Sequence, residues 1–342
     1  TEVPKFSPRY VGHMFSEISL PALMGHIVAL LHNPNNISGE SSRVGIQIED
    51  EAVRHLLAMV GFSQDDGAGH FTSGGTVANF EALIRAQARQ ALWLSVAAAL
   101  NHKKKNSTLN VFAASHMGWN KFDEIVAELK LLGVSEKEIL EWRAGRENPY
   151  RFSQKISKAA ADDYLGPVIL VPENKHYSWK KGCQFLGLGA EAIWPISLDK
   201  HGTSDALSLE KQLNRARHEN RPVLLVVSVV GTTELGSIDP VDKIQNALDR
   251  HCTESSLHIW HHVDAAYGGF FRTLATDTRS AHSSILSEEK FSALKAIPRV
   301  DSITLDPHKL GYVPYASGTF LNRQKRDYFF SAFDDAPYID FD

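Results

Sequence analysis

The chain has 342 residues, of which 43% are hydrophobic, and its 36 basic and 40 acidic side chains give a net charge of −4. This composition is typical of a globular protein, and the length suffices for one large domain or two smaller ones. The slight negative charge gives no electrostatic reason to expect binding to nucleic acid or to an anionic membrane surface.

Two further features of the sequence concern location. The only cysteines, Cys183 and Cys252, are too few for a disulfide framework, which predicts a reducing, cytoplasmic setting. No apolar run approaches the roughly 18 residues that span a bilayer. The first residues, "TEVPKFSPRY", lack the charged-then-apolar order of a signal peptide. Both ends read like the middle of a sequence, so we expect a piece of a longer chain.

The first part of the chain predicts two helices joined by a loop. Residues 14–32 carry apolar side chains at roughly helical spacing. Residues 33–42 break this pattern with Pro, Asn, Gly and Ser, which is typical of a loop. Residues 46–60 then resume an amphipathic helical pattern.

After residue 60, helical segments alternate with short β-branched runs. The helical segments include 76–100, 121–132 and 239–250. The runs that predict strands are Asn110–Ala113, Val168–Val171, Val223–Val230, His258–Val263 and Ser302–Leu305. Such alternation predicts an α/β fold with a mainly parallel central sheet and helices on both faces. In folds of this kind, ligands bind outside the carboxyl ends of the strands.

Three of the strand ends carry glycines, a histidine or hydroxyls. Ser73-Gly74-Gly75-Thr76 follow a further short run, "GHFT", and precede a strong amphipathic helix, and glycines there let backbone N–H groups approach a phosphate. His176 follows the strand at 168–171, and Thr232-Thr233 follow the strand at 223–230. Alone, each signal is weak, because turn glycines, capping histidines and turn hydroxyls are common.

The two remaining strand ends carry ionisable residues. Asp264 ends "HIWHHVD", where a buried carboxylate is costly without a cationic partner. Lys309 follows "ITLDPH", in which Pro307 ends the strand because proline has no N–H to donate. His262 and Asp264 share a strand face, but no third ligand with suitable spacing accompanies them, which disfavours a metal site.

Taken together, these parts match the needs of one cofactor, pyridoxal 5′-phosphate. The amine of Lys309 can form an imine with the cofactor's aldehyde. The carboxylate of Asp264 can pair with the pyridine nitrogen, which makes the ring an electron sink. The glycine turn can hold the phosphate, and an imidazole face can stack on the ring. We therefore predict that Lys309 is the Schiff-base lysine.

Three stretches carry a resemblance to a known family. "FTSGGTVANFEALIRAQ", "HVDAAYGG" and "DSITLDPHKLGYVPYASG" resemble the group II pyridoxal-phosphate-dependent amino-acid decarboxylases, which include the aromatic amino-acid, glutamate, tyrosine and histidine decarboxylases. The resemblance runs from about residue 8 to residue 321. "SPRYVGHM" and "LLHNPNNIS" look most like the bacterial tyrosine decarboxylases. The resemblance implies the aspartate-aminotransferase-like type I fold and a homodimer with active sites at the subunit interface.

The resemblance also implies roles for individual residues. Lys309, His176 and Asp264 are the implied catalytic residues. The implied cofactor-binding residues are Ser73, Gly74, Gly75, Thr76, His176, Thr233, Asp264, His308 and Lys309. His13, Asn36 and Tyr315 are expected near the substrate. The implied reaction is the α-decarboxylation of an L-amino acid to CO₂ and an amine, with a tyrosine-type substrate favoured.

The domain organisation that follows has three parts. Residues 1–50 are expected to form an N-terminal segment with a substrate-side loop, residues 51–321 a large cofactor-binding domain, and residues 322–342 the start of a C-terminal region or mobile loop. The family's small domain and its proton-donating tyrosine are expected near or beyond this end. Tyr338 is not assigned that role. The stretch between Asp264 and Lys309 includes a polar segment that resembles an insertion.

Three other functions stay open. A glutamate or aspartate decarboxylase needs groups for a second carboxylate, and the loop at 33–43 offers Asn35, Asn36, Ser38 and Arg43. A related lyase or aminotransferase is disfavoured by the His-Lys pair and the "GHM" start. A catalytically inactive scaffold is disfavoured because all the cofactor residues are present.

Overall fold

The computed structural model describes residues 7, 14, 16–105, 108–142, 147–253, 257–275 and 285–329. The strands are β1 (Ala68–Thr72), β2 (Val168–Pro172), β3 (Ile193–Ile196), β4 (Val223–Val229), β5 (His261–Asp264), β6 (Ser302–Leu305) and β7 (Gly318–Asn322). The α-helices are α1 (Leu20–His32), α2 (Arg43–Val60), α3 (Gly75–Lys104), α4 (Val111–Ser115), α5 (Gly118–Leu131), α6 (Glu136–Leu140), α7 (Pro149–Ala160), α8 (Ser178–Phe185), α9 (Ala206–His218), α10 (Val241–Thr253), α11 (Glu288–Lys295) and α12 (Lys325–Phe329). Within these residues, we find no helix with both the length and the apolar character needed to cross a membrane.

The seven strands form one sheet in the order β1-β7-β6-β5-β4-β2-β3. The pairs β2–β3, β2–β4 and β5–β6 are parallel, whereas β7 is antiparallel to both β1 and β6. Helices connect most of the strands, as a parallel sheet requires. The mainly parallel sheet confirms the predicted α/β fold class.

Two compact units make up the chain. The first consists of residues 1–81, 229–242 and 262–342, and the second of residues 82–228 and 243–261. Each unit has its own cluster of buried apolar side chains. The boundaries predicted at residues 50 and 321 stay predictions.

The first unit has a core between α2 and the strands β5 and β6. Helix α2 buries Val53, Leu57 and Val60, which lie on one face at spacings of four and three residues. They belong to one apolar cluster with Val263 and Ile303 of the two strands. The strands β5 and β6, which lead to the predicted site residues, are therefore held in place by packing against α2.

In the second unit, a buried histidine and a buried arginine each make specific side-chain contacts. His116 is fully buried, and its Nε2 accepts a hydrogen bond from the Val223 N–H at 3.1 Å. Burial lowers the pKa of His116 from 6.5 to about 4, so the ring is neutral at pH 7. The guanidinium carbon of Arg89 lies 4.6 Å and 4.4 Å from the ring centres of Trp93 and Trp260. The arginine is thus placed against two aromatic faces.

Local chemistry corrects some of the predicted elements. The strand predicted at Asn110–Ala113 is wrong, because the Asn110 side chain accepts a hydrogen bond from the Ala113 N–H at 2.8 Å and begins the helix α4. The helix predicted from residue 14 begins instead at Leu20, where Ser19 is the N-cap and Pro21 occupies the first turn. The strands predicted at 168–171, 223–230 and 302–305 are confirmed to within one residue.

Candidate active site

Three predicted parts of the site meet at one edge of the sheet in the first unit. Thr72 at the end of β1 pairs with Gly318, and Asp264 at the end of β5 pairs with Thr304 of β6. Beyond the strands, the Asp306 N–H donates a hydrogen bond to the Ala266 carbonyl at 3.2 Å. The glycine turn after β1, the carboxylate at the end of β5 and the lysine loop after β6 are therefore neighbours.

The second glycine of the turn, Gly75, leaves no room for a side chain. A Cβ atom at Gly75 would lie 2.9 Å from both the Ala266 Cβ and Asp306 Oδ2, so only glycine fits there. Gly75 also begins α3, where the N–H groups of Val77 and Ala78 donate to the Gly74 carbonyl at 3.0 and 3.2 Å, so the N–H groups before them are the ones that can face an anion. Ser73 is exposed and Thr76 is half-buried beside it. The turn and the helix dipole together suit an anionic group.

The lysine loop holds Lys309 against a buried carboxylate. The Lys309 N–H donates to the Asp306 carbonyl at 2.9 Å, which closes a tight turn directly after β6. This turn brings the two side chains together, with Lys309 Nζ 3.0 Å from Asp306 Oδ2. The lysine side chain is 20% exposed and the aspartate side chain 3% exposed. The amine is thus held at the core edge by an ion pair.

Asp306 is a site residue that the sequence analysis missed. Its Oδ1 is buried and has no hydrogen-bond partner among the residues described. Burial raises the pKa of this carboxyl, although the positive charge of Lys309 opposes the effect. The available signal was an acidic residue three positions before the lysine, in a turn where both side chains point the same way.

His308 lies between Asp306 and Tyr315. Its Nε2 is 3.6 Å from Asp306 Oδ2, and its ring centre is 3.9 Å from that of Tyr315. Burial lowers the pKa of His308, which favours a neutral ring at pH 7. The Cε1 atom of His308 also lies close to the glycine turn, because a Cβ atom added at Gly74 would be 3.5 Å from it. Tyr315 is half-exposed, and burial together with the charge of Asp306 raises its pKa.

Asp264 is fixed by a buried polar network that the sequence analysis also missed. Its Oδ2 accepts a hydrogen bond from the Asn79 side chain at 2.8 Å. The Asn79 carbonyl oxygen lies 3.4 Å from His262 Nε2, and His262 Nδ1 lies 2.8 Å from the Ser302 hydroxyl. Asn79 lies one helical turn after Thr76, and this spacing could have indicated that its side chain faces the site. His262, weighed above as a metal ligand, makes hydrogen bonds here, and no group of three potential metal-binding side chains occurs in the described part of the chain.

The other predicted residues are placed as follows. Thr233 is exposed in the loop after β4, and its neighbour Thr232 is buried with its hydroxyl 2.8 Å from that of Ser237. Asn36 is exposed and donates to Glu49 Oε2 at 2.9 Å. His13 lies outside the residues that the structure describes.

His176 belongs to the second unit, where it lies between β2 and α8. Its Nδ1 accepts a hydrogen bond from the Ser178 N–H at 3.3 Å and lies 2.9 Å from the Ser178 hydroxyl. Because Nδ1 accepts this hydrogen bond, the tautomer that fits the contact has its proton on Nε2. This arrangement fixes the ring orientation at the carboxyl end of β2.

Comparison with known proteins identifies the family. A model described as the pyridoxal-dependent decarboxylase conserved domain matches residues 131–334. The chain therefore belongs to the pyridoxal-dependent decarboxylase family, which confirms the resemblance found in the sequence. Pyridoxal phosphate is accordingly the cofactor, as predicted.

Two relatives and one solved structure are among the most similar proteins. The L-tyrosine decarboxylase of Enterococcus faecium is 32% identical over 337 residues, which cover 93% of this chain and 52% of the relative. The L-tyrosine decarboxylase of Levilactobacillus brevis is 33% identical over 331 residues, which cover 91% of this chain and 49% of that relative. The glutamate decarboxylase domain of a diaminobutyrate-pyruvate transaminase and L-2,4-diaminobutyrate decarboxylase from Vibrio parahaemolyticus shares the fold, with a TM-score of 0.65, 23% identity and coverage of 95% and 54%. The chain spans about half the length of the curated relatives it matches.

Proposed function

We propose that the protein is a pyridoxal-phosphate-dependent L-amino-acid α-decarboxylase that favours an aromatic, tyrosine-type substrate. The observation that carries the proposal is the grouping of Lys309, Asp264 and the Gly74-Gly75 turn at one sheet edge. Similarity to two bacterial L-tyrosine decarboxylases at 32–33% identity supports the choice of substrate. The reaction releases CO₂ and the corresponding amine.

The residues at the sheet edge fit the cofactor. The cofactor needs an amine, an acid for its ring nitrogen and a site for its phosphate, and the edge offers Lys309, the buried Asp264 on β5 and the turn at Gly74-Gly75. Lys309 would bond to the aldehyde, and Asp264 would pair with the ring nitrogen. Ser73, Gly74, Gly75, Thr76 and His308 would hold the phosphate. His176 would stack on the ring, and Thr233 would lie close to the cofactor.

The chain's own residues then have defined tasks. When bound, pyridoxal phosphate supplies an electron sink for the electron pair left at Cα after CO₂ departs. Asn79 keeps the Asp264 carboxylate oriented through the hydrogen bond to Oδ2. Lys309, once displaced by the substrate amine, is retained beside Asp306. The first interaction would orient the carboxylate before the substrate arrives, and the second would keep the lysine amine close to the site after its displacement.

Substrate recognition is proposed for His13, Asn36 and Tyr315. Tyr315 is supported best, because its ring packs on His308 in the loop after Lys309. The amide of Asn36 is engaged by Glu49, a carboxylate that would repel an acidic substrate from this loop. This contact favours the aromatic substrate over glutamate or aspartate.

We also propose a homodimer in a cytoplasmic setting. Helix α1 has the apolar sequence LPALMGHIVALLH, yet none of its thirteen residues is buried. A helix that is hydrophobic all round needs a covering surface, and a second copy of the chain is the occupant proposed. Neither Cys183 nor Cys252 forms a disulfide, as expected in a reducing compartment.

The cofactor is tested by spectroscopy with trapping. Purified protein is incubated with pyridoxal phosphate, its visible spectrum is recorded, and the adduct is reduced with borohydride and mapped by peptide mass. We expect a visible band and an adduct on Lys309. Lys309→Arg is the matched control, because arginine keeps a positive charge beside Asp306 but cannot be trapped. An adduct on another lysine, or none, contradicts the site assignment and favours the inactive scaffold.

The substrate is tested by CO₂ release from a panel of amino acids, with the amine identified by mass. Tyrosine is expected to react fastest. Faster release from glutamate or aspartate would move the assignment to an acidic-substrate decarboxylase, and keto-acid formation would indicate an aminotransferase.

The homodimer is tested by sedimentation equilibrium of wild type, Ile27→Glu and the control His26→Gln, all on α1. Only Ile27→Glu is expected to shift the mass to that of a monomer. A monomeric wild-type protein contradicts the proposal.

A further inference from the structure

A histidine on β5, His262, has no part in the proposed cofactor contacts, although it lies two residues before Asp264. Its side chain is fully buried, and its ring is stacked on that of Phe320 with 6.3 Å between the ring centres. Nδ1 lies 2.8 Å from the Ser302 hydroxyl, and Nε2 lies 3.2 Å from the Thr304 hydroxyl. Because a buried imidazole is costly unless its nitrogens are paired, these contacts define what the ring donates and accepts.

The amide of Asn79 joins this histidine to Asp264. Its Nδ2 donates a hydrogen bond to Asp264 Oδ2 at 2.8 Å, and its oxygen lies 3.4 Å from His262 Nε2. An amide oxygen can only accept a hydrogen bond, so the arrangement requires a proton on Nε2. In the neutral ring, Nδ1 then accepts a hydrogen bond from the Ser302 hydroxyl.

The hydrogen bonds of this buried chain all run in one direction. The Ser302 hydroxyl donates to the imidazole, the imidazole to the Asn79 amide, and the amide to the Asp264 carboxylate. Successive hydrogen bonds polarise one another, so an amide whose oxygen accepts is a stronger donor at its nitrogen. The other carboxylate oxygen, Oδ1, accepts from the Ala266 N–H at 3.5 Å. Both oxygens thus face N–H donors, which suits a carboxylate and not an acid, whose own O–H would need an acceptor.

We propose that His262 is a positioning residue, which fixes Asn79 as a donor to Asp264 and so keeps the shared proton on the ring nitrogen of the bound cofactor. The inference rests on the function proposed above, in which Asp264 pairs with that nitrogen. A protonated ring nitrogen makes the cofactor an effective electron sink. With a weaker donor at Oδ2, the carboxylate would compete better for the proton and would draw it away from the ring. His262 therefore acts on the cofactor through two other side chains.

The test is the ¹⁵N chemical shift of the ring nitrogen in protein loaded with ¹⁵N-labelled pyridoxal phosphate, which separates a protonated from a neutral pyridine and needs no substrate. Wild type should show a protonated ring. His262→Phe keeps an aromatic ring beside Phe320 but has no donor for Asn79, so its signal should move toward that of a neutral ring. His262→Gln carries an amide N–H in place of Nε2–H and should restore the wild-type shift.

A histidine on the neighbouring part of the sheet provides the matched control. The ring centre of His70 lies 6.0 Å from that of Phe320, but its Nδ1 is 2.8 Å from the Tyr328 hydroxyl instead of facing Asn79. His70→Phe should therefore keep the wild-type shift. In an absorbance titration, His262→Phe should bind the cofactor about tenfold more weakly, and His70→Phe should bind it like wild type.

The direction of the hydrogen bonds is tested in the cofactor-free protein by NMR of ¹⁵N-labelled histidine side chains. The signal that His262→Gln removes should belong to a ring with its proton on Nε2. A ring with its proton on Nδ1 alone would overturn the inference, because it could not donate to Asn79.

The outcomes separate this inference from the proposed function. If borohydride traps the cofactor on Lys309 but His262→Phe keeps the wild-type ¹⁵N shift, or His262→Gln fails to restore it, the positioning role is overturned while the cofactor site stands. Absence of trapping in wild type overturns both. If His262→Phe does not fold, His262→Asn decides, because its shorter amide can replace Nδ1 beside Ser302 but does not reach Asn79. A wild-type shift in His262→Asn would overturn the inference.

Discussion

Replacing Lys309 by alanine should destabilise the cofactor-free protein, because Asp306 is left buried and charged. At the 3.0 Å separation of Nζ and Oδ2, the Coulomb attraction is about 5.5 kcal/mol at an effective dielectric constant of about 20. Breaking a buried ion pair typically costs about 3–5 kcal/mol, and the 20% exposure of the lysine side chain places the expected loss near the lower value. We therefore expect Lys309→Ala to lower the free energy of unfolding by about 3 kcal/mol.

The measurement is urea unfolding at pH 7, and the double variant isolates the cause. Adding Asp306→Asn to Lys309→Ala removes the unpaired buried charge and should recover at least half of the lost free energy of unfolding. Lys290→Ala, at an exposed position on α11, should stay within about 0.5 kcal/mol of wild type. Because burial raises the pKa of Asp306, the penalty in Lys309→Ala should shrink as the pH falls and this carboxyl protonates. A loss no larger than that of Lys290→Ala, or no recovery in the double variant, would refute the reasoning.

Three further predictions concern other buried polar groups. Asn79→Leu removes the donor to the Asp264 carboxylate and should weaken pyridoxal-phosphate binding by about tenfold or more in an absorbance titration; unchanged affinity would show that Asn79 does not support Asp264. Arg89→Met loses two contacts with tryptophan faces and should lower the free energy of unfolding by about 1–3 kcal/mol in urea, a cost that a surface arginine would not show. Since the pKa of His116 is lowered to about 4, the folded state favours its neutral ring, and stability should fall by up to about 3 kcal/mol as the pH drops from about 6.5 to 4. Urea titrations of His116→Gln should lack this part of the pH dependence, and an unchanged slope would assign it to other groups.

Asp264 and Lys309 could be predicted as site residues because the sequence indicates where the strands before them end. The apolar run before Asp264 and the proline after Leu305 mark where two strands stop, and in a parallel sheet such ends share an edge. Strand β3 was not predicted, because its four residues include Pro195 and are too few to show a pattern. The antiparallel β7 was equally hidden, since a run with Gly318 and Thr319 resembles a loop.

The supporting residues could not be predicted, because their partners are distant in sequence. Asn79 and Asp264 are in contact across 185 positions, and nothing in either local segment indicates the other. Asp306 was apparent only as a residue before a proline, and its importance depends on burial, which a four-residue turn does not reveal. Propensity also failed at Val111, where a side-chain cap on the preceding residue outweighs β-branching.

The pairing of β1 with β7 has a consequence for how the protein is made. Thr72, one residue before the glycine turn, is opposite Gly318, about 250 residues later in the chain. β1 lies at the edge of the sheet, and β7 is its neighbour there. At a synthesis rate of about 5–20 residues per second, β1 leaves the ribosome roughly 10–50 s before its partner exists. During that interval the backbone groups of β1 can pair with any exposed strand. The glycine turn between β1 and α3 is therefore completed among the last steps of folding, and β1 is the strand most exposed to incorrect pairing.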